Sequence, residues 1–438
     1  LSRRQRQMCI RDRLTVFLIS LFMLLALGVP IFMSIGASGL TLFFAGTGSF
    51  APNMMIQRMY SGLNSFTLMA IPLFMLAGEI MNRGQLSKKM VRFANCILGW
   101  IPGGLGFTTI ISCMFIAAIL GSASAAAAMI GAILIPEMID RGYDKEFACA
   151  LTASAGSIGP IIPPSIPMIV YGVIANVSVV KLFCAGYIPG VLMGVLFGIY
   201  TYLYAKKHRY PAEKKPSLQE STTAFKEAFL TLLLPVIIMG SILCGVCTAT
   251  EAAVLAVVYA FFLSIIVYRT LPLKEVPNVL LNGAKSAAMV LAVVAAANML
   301  SWAVTMMNIP ATVSAFVCNI TTSPLVFLII TNLILIIAGM FLDASSAIMI
   351  LTPVLLPIAL QLGVDPLVFG IIITVNLSIG VLTPPVGLNL YVVSSLSKVD
   401  ILRIAKAAAP FMILIFMILI MASAWPQTIT FLPNLLYH

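Results

Sequence analysis

The chain has 438 residues, of which 61% are hydrophobic and 9% charged, with a formal net charge of +11 and a mean hydropathy of +1.09. Soluble domains carry about 25% charged residues, so composition excludes a soluble enzyme or binding module and points to an integral membrane protein. The Lys and Arg residues fall in short segments between apolar runs, which is the positive-inside pattern and not a nucleic-acid-binding stripe.

Residues 1–13 hold five arginines and are expected to be a non-native or disordered basic stretch. Apolar runs of helical length follow at 14–32, 182–204, 229–247, 254–267, 287–304 and 404–424. They predict an all-α polytopic bundle, because lipid tolerates only helices or closed barrels and barrel strands alternate polar with apolar residues. Arg83, Lys88, Lys89 and Arg92 flank a short segment, and Lys206, Lys207, Arg209, Lys214 and Lys215 form the longest polar loop. Both are predicted to be cytoplasmic.

Between them, 102–140 spans about 38 residues, enough for two helices of roughly 25 Å each. The break at Leu120-Gly-Ser-Ala-Ser makes it a predicted re-entrant hairpin, with Ser122 or Ser124 capping a helix from Ala125. A helix over 144–176 must then break at "GSIGPIIPPS", since proline removes an amide and disfavours helix before it. The second half repeats this plan. Its hairpin runs over 324–361 with Asp343 and Ser345 at the tip, and its broken helix over 366–396 carries "SIGVLTPPVG".

A constant offset of 221 residues carries Pro163-Pro164 onto Pro384-Pro385, Ser157-Ile158-Gly159 onto Ser378-Ile379-Gly380, Ala123-Ser124 onto Ala344-Ser345 and Pro136 onto Pro357. Two repeats follow, 14–222 and 223–438. Residues 286–397 contain no Lys or Arg although they include the counterparts of basic segments in the first repeat. The second repeat is therefore predicted to be inverted, the organisation of secondary transporters with a midplane site.

Ile162-Pro163-Pro164 and Thr383-Pro384-Pro385 leave carbonyls that lipid cannot satisfy and a sodium ion can, with hydroxyls of Thr383, Ser157 or Ser165 as further ligands. The helices resuming near Ser165 and Gly387, and the hairpin tips, direct positive ends at one space that suits an anion. Ser124, Ser165, Ser345, Asn376 and Asn389 are the candidate substrate contacts, although helix-packing hydrogen bonds explain the two asparagines almost as well. Asp343 is read as a hairpin cap, Glu251 as a first-turn cap and Glu79 as an interfacial partner of Arg83. The eight cysteines lie mostly in apolar segments and read as small buried hydrophobes. His208 and His438 lie outside the apolar runs, which argues against a catalytic imidazole or histidine metal site. An intramembrane enzyme lacks a polar catalytic set here, so no enzyme is expected.

The stretches "SFTLMAIPLFMLAGEIMNRG", "GSASAAAAMIGAILIPEM", "GSIGPIIPPSIPMIVYG", "TATEAAVLAVVYA" and "SIGVLTPPVGLNLYV" together resemble the large, DctM-like membrane subunit of tripartite ATP-independent periplasmic (TRAP) transporters. The resemblance implies a sodium-coupled elevator importer in the bacterial inner membrane, without an organic cofactor. It would work with a small four-helix DctQ-like subunit and a periplasmic substrate-binding protein that hands over a C4-dicarboxylate, sialic acid or other sugar acid. It also implies a first sodium site at Gly121, Ser122, Gly159, Ile162 and Pro164, a second at Gly339, Gly380, Thr383 and Val386, and amphipathic arms at 87–97 and 309–320. The alternative is a stand-alone sodium/anion symporter of the wider ion-transporter superfamily.

Overall fold

An apolar chain in lipid must close its backbone hydrogen bonds within helices. The computed structural model, which describes residues 15–17, 19–25, 27–47, 52–212, 215–307, 309–311, 313–314 and 321–437, is helix joined by short turns. Among the described residues seven helices are long and apolar enough to cross a membrane: Ala123–Asp140, Val179–His208, Leu218–Leu243, Ala249–Val267, Leu273–Met306, Ala344–Gln361 and Ile401–Ala424. The expectation for residues 1–13 and most of the second arm, 309–320, lies outside the described residues.

Two layers pack together. Ile31–Thr47, Pro52–Leu63, Ala70–Arg83, Leu218–Leu243, Ala249–Phe261 and Val276–Met306 form one, called the outer layer below. The inner layer holds a first hairpin (Gly104–Leu120 and Ala123–Asp140), a first broken helix (Lys145–Gly156 and Ile166–Ala175), a second hairpin (Pro324–Gly339 and Ala344–Gln361) and a second broken helix (Pro366–Gly380 and Leu388–Ser397). Val179–His208 and Ile401–Ala424 complete it. The amphipathic helix Leu86–Leu98 lies between the layers. Its Arg92 pairs with Glu227 of the outer layer at 2.8 Å, and Lys89 lies 4.4 Å from the Tyr268 ring centroid.

Local chemistry fixes the helix ends. Thr248 and Glu251 form a capping box, with Thr248 N–H donating to Glu251 Oε2 at 2.8 Å. Glu79 accepts from Arg83 at 3.2 Å. The apolar run 14–32 is not one helix. It gives Thr15–Leu25, then a turn in which Gly28 takes φ +76° ahead of Pro30, and Ile31 begins the next helix. A left-handed glycine followed by proline ends a helix however apolar its neighbours are.

Asp144 and its repeat counterpart Asp365 both stand at helix starts, yet only Asp365 caps, accepting from Leu367 N at 2.7 Å. The Asp144 carboxylate instead accepts from Tyr210 Oη at 2.7 Å and Tyr204 Oη at 3.3 Å. Burial, with the adjacent carboxylate, pushes the Tyr210 hydroxyl up and keeps it a proton donor.

Val179–His208 packs on the rest of the inner layer through Gly186, Gly190, Gly194 and Gly198, four glycines at four-residue spacing on one face. A β-carbon on Gly186 would lie 2.4 Å from the Ile161 carbonyl oxygen, and one on Gly190 would lie 2.6 Å from Ile162 Cγ1. Gly186→Val is expected to overpack this seam and cost about 1–3 kcal/mol. Thermal unfolding of the purified protein checks it, against Gly240→Ala, a position with open space around it, as the neutral control.

Candidate functional site

The first break begins where Lys145–Gly156 ends in tight turns, with Gly159 N–H bonded to Gly156 O and Ile161 N–H to Ile158 O, both at 3.0 Å. The Pro163-Pro164 bond is cis, as is Pro384-Pro385. Every residue from Ser157 to Ser165 is buried. Ser165 holds the two sides of the break together: its hydroxyl donates to Pro160 O at 2.5 Å and accepts from Met168 N at 3.3 Å. That hydroxyl is thus engaged within the break.

The tip of the first hairpin closes over this break backbone to backbone. Gly121, with φ +59°, ends Gly104–Leu120, and a β-carbon on it would lie 2.8 Å from Ile166 N and 3.1 Å from Pro164 O. A β-carbon on Gly159 would lie 3.1 Å from the carbonyl oxygens of both Ser122 and Gly156. Only glycine permits such approach. Ile162 packs against Gly190. The helix after the tip begins at Ala123, two residues before the expected start. Ser122 occupies its N-cap position without a side-chain cap, its Oγ lying 3.5 Å from Ser124 Oγ. The expected serine cap is therefore not made, because the hydroxyls face one another and not the first-turn amides.

The second break is built alike. Thr383 N–H bonds to Gly380 O at 2.9 Å and its hydroxyl donates to Ile379 O at 2.8 Å. Gly387, at φ +53°, donates its N–H to Met340 O of the hairpin tip at 3.3 Å. A β-carbon on Gly380 would lie 2.5 Å from Gly339 Cα and 3.1 Å from Gly339 O. Here the cap is present: Asp343 accepts from Ser345 N at 3.0 Å, from Ser346 N at 3.3 Å and from the Ser346 hydroxyl. Pro385 and Val386 are exposed, whereas their counterparts in the first break are buried.

The two tips and the two breaks meet at a cavity of about 90 Å³. Its lining includes the first residue of four helices, Ala123, Ile166, Ala344 and Leu388, with Gly121, Ser122, Ser124, Asp343, Ser345 and Asn389. Among the described residues no Lys or Arg lines it. Asn389 ties the repeats together, donating Nδ2–H to Ala153 O at 2.8 Å, while its buried Oδ1 has no partner among the described residues. Asn376 is elsewhere, donating to Asn332 O and Oδ1 at 3.0 and 2.9 Å within the second hairpin and helix. Met75 and Val290 close the cavity from the outer layer. As apolar residues inside apolar helices they carried no sequence signal, whereas Pro160 and Pro167 were visible in the proline cluster.

A crevice of about 600 Å³ leads from Glu79, Asn82, Gln85, Ser87 and Lys88 to Ser122 and Ile166, sharing these last two with the cavity. It separates the first hairpin from the outer layer along Ala128 and Ala132. The equivalent residues of the second hairpin, Met349 and Pro353, line a crevice of about 160 Å³.

The family model of the tripartite ATP-independent periplasmic transporter, DctM component, matches residues 18–428. The chain is 37% identical to the C4-dicarboxylate TRAP transporter large permease protein DctM of Rhodobacter capsulatus, over 95% of this chain and 98% of that one. It is 40% identical to the isethionate TRAP transporter permease protein DctMQ of Oleidesulfovibrio alaskensis, over 92% of this chain and 63% of that protein. The fold is shared with the Alcanivorax borkumensis YdaH transporter, with a TM-score of 0.64 at 14% identity, covering 91% of this chain and 98% of that chain. The hairpins and broken helices foreseen from the double prolines thus sit in a known transporter architecture, and the chain belongs to the DctM component family, as a multi-span large permease of the bacterial inner membrane.

Proposed function

We propose that this permease imports a small organic acid together with sodium ions, binding both where the hairpin tips meet the broken helices. One observation carries the reading: four helix N-termini converge on a cavity that no Lys or Arg lines. Helix starts favour negative charge and present amide donors, so carboxylate recognition needs no basic side chain. Sodium would sit behind the cavity, on the carbonyls around Gly121, Gly159 and Pro164 in the first repeat and around Gly339, Gly380 and Thr383 in the second, where unwound backbone supplies oxygen ligands.

The substrate class follows from this anion preference and from relatives named for C4-dicarboxylate and isethionate, both small organic acids. Membership of a tripartite family favours delivery by a periplasmic binding protein over the stand-alone symporter. It also favours a small membrane partner, which the DctMQ name of one relative joins to the large component. The unequal crevices, about 600 and 160 Å³, support an elevator cycle. The wider one reaches Lys88 at the predicted cytoplasmic side, and sliding the inner layer past the outer layer would exchange wide for narrow.

Two measurements test these assignments. In proteoliposomes holding the three components, uptake of a labelled C4-dicarboxylate is expected with an inward sodium gradient and to fall to background in choline. Equal uptake in both buffers would remove sodium from the mechanism. At the second tip, Asp343→Ala is expected to cost about 1 kcal/mol of stability, and Asp343→Asn to keep both melting temperature and uptake, since Asn caps as well as Asp. Loss of uptake in Asp343→Asn at unchanged melting temperature would make the carboxylate an ion ligand instead of a cap.

A further inference from the structure

A second, larger space lies outside the central cavity. Between helix Val179–His208, the first arm of the first hairpin and Leu218–Leu243 of the outer layer lies an apolar groove of about 910 Å³. Its walls are Phe107, Met114, Val195 and Ile199 on one side, Val236 and Met239 on the other. Val195, Ile199 and Val236 are half or more exposed along it. This volume is at the upper end of the roughly 300–1,000 Å³ of small-ligand pockets.

The groove also has a charged mouth. Its stripe on Val179–His208 runs through Val195, Ile199, Tyr202 and Leu203, and helical spacing of three and four residues continues it onto exposed Lys206. Across the mouth, beyond groove-lining Leu98, Trp100 is exposed and carries Lys215 Nζ at 5.3 Å from its ring centroid. The turn after Trp100 packs on this same helix end, since a β-carbon on Gly103 would lie 2.6 Å from Ala205 Cβ. An apolar slot ending in a tryptophan and lysines at the predicted cytoplasmic interface has the chemistry of an anionic phospholipid site, chains inside and headgroup at the basic rim.

We infer that an anionic phospholipid of the cytoplasmic leaflet occupies this groove and fills the seam between the two layers. The floor of the groove is Ile162 and Pro163, the first break itself, so its occupant backs the segment assigned above to sodium. The functional part rests on the elevator reading: fluid chains let the two walls slide, whereas a partner helix seated there would splint Val179–His208 to Leu218–Leu243.

The test uses the full chain extracted from bacterial membranes in mild detergent, with no substrate or sodium gradient, so that its failure is separate from any failure of the transport reading. Native mass spectrometry is expected to find phosphatidylglycerol retained by the wild type and lost from Val195→Trp and from Ile199→Trp, two separate fillings of the slot, at unchanged melting temperature. Lys206→Glu with Lys215→Glu is expected to keep lipid but to lose the preference for phosphatidylglycerol over phosphatidylethanolamine. Equal retention in the wild type and both tryptophan variants would overturn the proposal. So would a photo-crosslinker at position 195 that captures the small membrane component and no lipid.

Discussion

Lipid offers a carbonyl no hydrogen bond, so a helix that unwinds in a membrane must be roofed by protein. The architecture of this permease follows from that constraint. Each double proline opens a helix, and each opening is covered by the tip of the hairpin that precedes it. Coverage this close requires backbone against backbone, which is why Gly121 meets Pro164 and Ile166, and Gly380 meets Gly339. Side chains at these points would hold the tips away and admit lipid to bare carbonyls. The same glycines that complete the fold thereby gather oxygen atoms and helix starts at one place, so the site is a by-product of satisfying the backbone.

The repeats are alike in plan and unlike in detail. The first break is wholly buried and gripped from outside by the glycine face of Val179–His208, whereas the equivalent positions on Ile401–Ala424 are Ala407, Phe411, Ile415 and Leu419. The second break is partly exposed, its tip is fixed by the Asp343 cap, and its helix is braced by the Asn332–Asn376 pair, where the first repeat has Ile111 and Ala155. The second half adds side-chain hydrogen bonds at its tip and helix where the first relies on a glycine face. On the proposed reading, the two ion sites differ accordingly: backbone alone shapes the first, while a fixed carboxylate stands beside the second.

Much of this was legible because proline and glycine act locally. The double prolines placed both breaks, and the tip signatures placed both hairpins, since these residues impose conformations whatever surrounds them. Legibility failed where the outcome depends on a partner distant in sequence. Ser122 looked like a cap, but its side chain turns to Ser124. Of the two readings open for the asparagines, the packing one describes the bonds they make, Asn376 to Asn332 and Asn389 to Ala153 of the first repeat, partners that the sequence does not name. Likewise the run at 14–32 was read by hydropathy, which is blind to the turn that Gly28 and Pro30 impose.

Charge bookkeeping at the cavity explains why ions and acid would travel together. Each helix start contributes about half a positive charge, so four of them offer roughly two, and the Asp343 cap already takes up the amides of one, leaving about one and a half. A dicarboxylate brings two negative charges and therefore meets a shortfall that no Lys or Arg in the lining can supply. Sodium on the carbonyls behind the tips would make up the difference, and by linkage the acid would tighten sodium in equal measure. A lysine in the lining would bind the acid with or without sodium and uncouple the two. On the proposed reading, the absence of basic residues from the lining among the described residues would make coupling obligatory, and small residues at the tips would let cations stand close enough to matter.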